Sequence, residues 1–167
     1  MFEIGTYIVC GQHGVCRVED IGKLKLSEAS GNKDYYTLSQ VYSRGGVLYV
    51  PADSDKIIMR PVITKEEAED LIAHMTEIDP IQIDNEKRKD DIFKQAFKTC
   101  DNREWVKILK TLYARKQLRL SKGKKVTASD ERFLRTAEDN LYGVLAISLG
   151  IDRKAVEGYI IDKIEVQ

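Results

Sequence analysis

Up to Val62 the apolar residues of this chain come in short runs broken by glycine and polar clusters. From Thr64 onward they recur at three- and four-residue spacing. A chain with that break must build strands first and helices second. In the first part, runs rich in Val, Ile and Tyr predict strands at 7–10, 15–21, 35–42, 47–50 and 56–60, with turns at 11–14 and 43–46. Five short strands in so few residues cannot cover both faces of an open sheet, so they are expected to curl into a small barrel of SH3 or Tudor shape. Pro51 and Pro61 close the last two strands, where a missing amide donor costs least.

In the second part each helix opens with a cap. Thr64 followed by Glu67 has capping-box form, and Asp101, Thr127 and Asp152 place side-chain acceptors at three further starts. Helices are predicted over 64–75, 85–99, 102–121, 128–149 and 152–165, with Gly123 and Gly150 just past the third and fourth. Apolar stripes run through Phe93, Ala96 and Phe97, through Trp105, Ile108 and Leu112, and through Phe133, Ala137, Leu141 and Val144. These faces must bury against one another, and Trp105 belongs to that core. The expected fold class is therefore α+β, with a Tudor-like β-barrel domain at residues 1–62 and an all-helical domain of five helices at 63–167.

Composition narrows the function. With 167 residues and 43% apolar content the chain can bury real cores. No stretch is long and apolar enough for a signal peptide or a membrane span. Cys10, Cys16 and Cys100 fit neither a paired framework nor a metal spacing, so buried thiols in a reducing cytoplasm are expected. His13 sits in a glycine turn and His74 on a helix, neither with ligands at metal spacing. The Gly11–Gly14 turn lacks the lysine and hydroxyl of a phosphate loop. No nucleophile with a base and an orienting partner stands out. A protein without catalytic activity, metal or cofactor is expected.

The charge is more telling. Lys plus Arg and Asp plus Glu both number 27, yet residues 105–125 hold eight cations and no acid. Lys107, Lys110, Arg115, Lys116, Arg119, Lys122, Lys124 and Lys125 make a local positive field in a neutral molecule. Cations favour a helix C-terminus, but that accounts for only two or three of them. A phosphate-bearing partner accounts for the rest. If four to six touched phosphates, binding would fall with salt at a logarithmic slope of roughly −4 to −5, largely without regard to base sequence. Lys87, Arg88 and Lys89 open the preceding helix as a second, weaker cationic run. Two readings from other classes stand beside this one: an adaptor whose basic helix meets an acidic protein surface, and a small enzyme with an unrecognised site.

The order of motifs resembles the CarD and CdnL family, whose N-terminal module is shared with transcription-repair coupling factor. The likeness rests on Phe2-Glu3-Ile4-Gly5, Gly11-x-His13-Gly14-Val15, Tyr35-Tyr36-x-Leu38, Val50-Pro51 and Met59-Arg60-Pro61 in the strand half. In the helices it rests on Leu109-x-x-Leu112-Tyr113-x-Arg115-Lys116 and Thr127-x-x-Asp130-Glu131-Arg132-x-Leu134. The resemblance implies a barrel that binds the RNA polymerase β subunit and a helical domain that contacts double-stranded promoter DNA at the edge of the opening bubble. Polymerase contacts would then fall on Lys23, Leu24 and Lys25 and on Leu48, Tyr49 and Val50. DNA contacts would fall on Lys87, Arg88, Lys89, Arg115, Lys116, Arg119, Lys122, Lys124 and Lys125. The family often carries arginines at the first set, and a tryptophan wedge just before the first basic run. Here Asp84, Asn85 and Glu86 stand at the wedge position, and none can replace lost base stacking. Ile81 or Ile83 would substitute only weakly.

Overall fold

The structure, a computed structural model, describes residues 2–23, 33–42 and 46–165. Five antiparallel strands form one sheet: β1 (Tyr7–Cys10), β2 (Val15–Lys23), β3 (Asp34–Gln40), β4 (Val47–Pro51) and β5 (Met59–Pro61), in the order β4-β3-β2-β1-β5. The turn between β1 and β2 is a single 3-10 turn, Gly11–His13, closed by Gly14 at φ 74°. A Cβ on Gly14 would lie 2.6 Å from Asn140 Oδ1, so both backbone sign and space demand glycine there. Strand ends differ from expectation where a side chain finds a better site. β3 stops at Gln40 because Val41 turns to pack on the helices, and β5 begins only at Met59 because Ile57 packs against the sheet's own core.

Alternation places Ile8, Cys10, Cys16, Val18, Tyr36, Leu38 and Val50 on one buried face. Met59 from the β5 edge packs against the same cluster as Val50 from the β4 edge, so the sheet curls around a common core although β4 and β5 do not pair. All three thiols are buried and free. Burial pushes Cys10 up to about 11 and Cys16 up to about 12, and raises Cys100 as well, which leaves them inert small apolar groups.

Five helices follow: α1 (Lys65–Ala73), α2 (Lys89–Lys98), α3 (Asn102–Ser121), α4 (Ala128–Leu149) and α5 (Arg153–Glu165). The Thr64 capping box forms in full, and Asp101, Thr127 and Asp152 accept from the backbone amides of Arg103, Asp130 and Lys154. Where a helix was expected from residue 85, the chain makes a 3-10 turn, Glu86–Arg88, before α2 begins, with Asn85 accepting from the Lys87 amide. Gly150 ends α4 in the left-handed conformation. Trp105 is fully buried and donates its indole N–H to Phe97 O at 3.3 Å. No helix among the described residues is long and apolar enough to cross a membrane.

The sequence boundary near residue 62 does not divide the packing. Val9 and Val15 lie on the sheet face opposite its own core, and they belong to the helical cluster with Phe97, Leu141 and Val144. Each such side chain contributes roughly 1.5–3 kcal/mol by burial. Polar contacts add to this seam: Tyr42 Oη donates to Gly143 O at 3.1 Å, Asn140 Nδ2 to Gln12 O at 3.4 Å, and Ser148 Oγ to Ile63 O at 2.7 Å. A Cβ on Gly143 would meet the Tyr42 ring at 2.7 Å.

Candidate functional site: a cationic helix tip and a sheet edge

The last buried residue of α3 is Leu112. From Tyr113 to Ser121 the helix runs on for nine residues without another buried side chain, about 13 Å at 1.5 Å per residue. At its end Gly123 takes φ 70° and turns the chain back toward the Thr127 cap of α4. The return is stitched by Lys124 N donating to Arg119 O at 2.9 Å and by Arg119 Nε donating to Lys125 O at 2.6 Å. Arg115, Leu118, Arg119, Lys122 and Lys124 line a cleft of about 200 Å³ on this tip. Leu118 and Leu120 stand half exposed among the cations.

Among the described residues no carboxylate lies within 4.0 Å of Lys116, Arg119, Lys122, Lys124 or Lys125. Of the other three cations, Lys107 and Arg115 are ion-paired and Lys110 is tied to a backbone carbonyl, contrary to the expectation of eight unpaired charges. Lys107 pairs with Glu104 at 2.9 Å, and Lys110 donates to Ile78 O at 2.5 Å. Arg115 is forked onto Glu86, with 2.5 and 3.1 Å contacts, and donates through Nε to Asp130 at 2.8 Å. Lys89 corrects the expectation most plainly. It is only 7% exposed and donates to Asp130 Oδ1 at 2.5 Å, so it cannot reach a phosphate.

These contacts form one network. Burial pushes the Asp130 carboxyl upward, but hydrogen bonds from Lys89 and Arg115 outweigh it and hold the group below its usual value. The Arg115 hydrogen bond lowers Glu86 likewise, and Glu86 and Asp130 together hold Arg115 firmly charged. A buried pair of this kind is costly to break because the surviving partner keeps an uncompensated charge. Through it Asp130 ties α2 to the root of the α3–α4 tip and sets Lys87 and Arg88, both exposed, beside that root. The sequence marks Asp130 only as part of a helix start and carries no sign of this second role. That mark is an acid three residues after the cap.

In the strand module β4 is an edge strand, paired with β3 alone among the described residues. Val47 and Tyr49 point outward and are about half exposed, across from Ser39 and Thr37 of β3. Leu48 and Val50 face the core. Val50 is 3% exposed, so of the expected polymerase contacts its side chain is removed and only its backbone remains on the edge. Lys23 ends β2 opposite Asp34, exposed and at the same end of the sheet as Pro51. Leu24 and Lys25 lie outside the described residues. The unpaired amide and carbonyl groups of β4, flanked by Tyr49 and Val47, are the chemistry by which a sheet edge accepts another strand.

Both histidines lie at the surface. His13 is exposed with Nδ1 3.4 Å from Gln40 Nε2, and His74 is exposed on its own helix turn against Asp70 O. No cluster of three His, Cys, Asp or Glu side chains among the described residues is placed to hold a metal ion.

Sequence comparison adds two findings. No curated protein matches the chain. A family model described as the CarD-like/TRCF RID domain matches residues 2–63, the stretch that carries all five strands and the exposed β4 edge. Residues 2–63 are thus similar to a CarD-like/TRCF RID domain, which supports an RNA polymerase-interacting, transcription-related protein.

Proposed function

We propose that this protein is a cytoplasmic transcription regulator without chemistry of its own, which holds the RNA polymerase β subunit on its sheet module and promoter DNA on the α3–α4 tip, and so acts on open-complex formation. The observation that carries the DNA half is the projecting tip, whose five cations have no carboxylate within ion-pair distance among the described residues. In a molecule of zero net charge the surface away from the tip is net acidic, so a polyanion is drawn to the tip and repelled elsewhere. Contacts of this kind read phosphates, so the choice of promoter comes from the polymerase. The polymerase half is supported by the domain match together with the β4 edge, which has no second strand beside it among the described residues. The wedge position of the family holds only polar side chains, so the inferred mode relies on charge.

The test is a duplex mobility shift across a salt series with the full chain and a Lys116→Ala, Arg119→Ala, Lys122→Ala variant. Loss of three phosphate contacts flattens the log–log salt slope by about 2.7 and weakens binding almost equally on all sequences. An unchanged slope, or wild-type binding that ignores salt, removes the DNA assignment and leaves an acidic protein surface as the tip's partner.

A further inference from the structure

Among the described residues, the outer face of the sheet is covered at one end only. Val9 and Val15, directly opposite each other on β1 and β2, are buried under the helices. One step along, on the same face, the next row is uncovered. Its register is continuous across four strands: Tyr7 opposite Arg17, Arg17 opposite Ser39, Ser39 opposite Val47. The row therefore runs from the buried seam side of the sheet out to the β4 edge, with Tyr49 one step further along that edge.

Its inner end is a corner made jointly by the two modules. Tyr7 is 40% exposed and Tyr42, which follows β3, is 43% exposed. Tyr42 is held in place by its hydrogen bond to Gly143 O and by the Arg153 guanidinium, 5.9 Å from the ring centroid. The charges here are internally matched: Arg17 is bound to Glu19 at 2.6 Å, Glu19 accepts from Ser39 Oγ at 2.7 Å, and Arg153 is paired with Asp139.

We propose that this row and corner form part of the polymerase-binding surface, so that the polymerase seat extends from the β4 edge across Val47, Ser39 and Arg17 to Tyr7 and Tyr42, where the helical module begins. The proposal rests on the reading of β4 as the polymerase edge. Exposed tyrosines around a held arginine are the residue types that anchor protein interfaces. The matched charges leave no positive field for nucleic acid, in contrast to the α3–α4 tip, and that selects protein as the occupant. Because Tyr42 is fixed on α4 by a backbone carbonyl, a polymerase seated here lies next to the module that carries the cationic tip.

Full-chain Tyr7→Ala, Arg17→Ala and Tyr49→Ala variants, titrated onto RNA polymerase core enzyme by biolayer interferometry, test it. The expected result is a five- to tenfold weaker Kd for each, with DNA mobility shifts unchanged. Arg17 is an exposed side chain, so a loss there with an unshifted melting temperature stands even if Tyr7→Ala melts early. Loss with Tyr49→Ala alone overturns the corner and leaves the edge reading intact. Wild-type binding in all three variants overturns both. Weaker DNA binding with unchanged polymerase binding, for Tyr7→Ala or Arg17→Ala, identifies the corner as a nucleic-acid face and also overturns the proposal.

Discussion

The two candidate surfaces are built by opposite means. At the β4 edge the recognition groups are backbone amides and carbonyls with half-exposed Tyr49 and Val47 beside them, and the nearby charged pair on the face is satisfied within the sheet. At the α3–α4 tip the recognition groups are long cationic side chains, and the acids that could neutralise them are spent at the root on Lys89 and Arg115. The first surface depends on shape and direction, the second on field. A partner of the first is thus expected to bind with little salt dependence, and a partner of the second with strong salt dependence.

The sharpest way to break this contrast is to cut the tip at its root. Asp130→Ala leaves buried Lys89 with only the longer 3.8 Å contact to Asp90 and frees one arm of Arg115, with an expected loss of about 3 kcal/mol in urea unfolding. The same group predicts an acid dependence. Its folded pKa lies below the unfolded value of about 3.9, so its contribution is fully present above that value and is lost as pH falls through the lower, folded one. Asp130→Asn should flatten that part of the unfolding curve against pH.

A double dissociation sharpens the contrast. The triple alanine variant at Lys116, Arg119 and Lys122 should lose roughly a hundredfold in duplex affinity at low salt while holding polymerase affinity, if each phosphate contact supplies about 1 kcal/mol. Next comes the seam. Gly143→Ala drives a methyl group into the Tyr42 ring, with an expected cost of about 1–3 kcal/mol in thermal or urea unfolding. A loss within measurement error would mean that the seam shifts freely. The smallest effect belongs to Tyr49→Ala, expected to weaken polymerase about tenfold, or about 1.4 kcal/mol, while changing stability by no more than about 0.5 kcal/mol. Equal losses of DNA and polymerase binding in either surface variant would show that the two surfaces are not separate.

Much of the fold is legible along the chain because its causes are local. Strand β1 and helices α3 and α4 lie where alternation, apolar stripes and caps place them, since each is decided by residues within a turn or a hairpin of one another. The sites were legible only in part. Alternation already opposes naming both Tyr49 and Val50 as outward contacts, and the structure turns Val50 inward. Lys89 and Arg115 read as free cations because the acid that holds them is 41 residues from one and 15 from the other.

The sequence by itself thus determined that strands precede helices, where four of the five helices begin, and that one acid-free stretch along α3 and just past its end concentrates positive charge. Only the tertiary structure decided which of those charges remain available, because an ion pair depends on distance in space. It also decided that Val9 and Val15 belong to the helices' core, since the covered end of a sheet face is set by what packs against it.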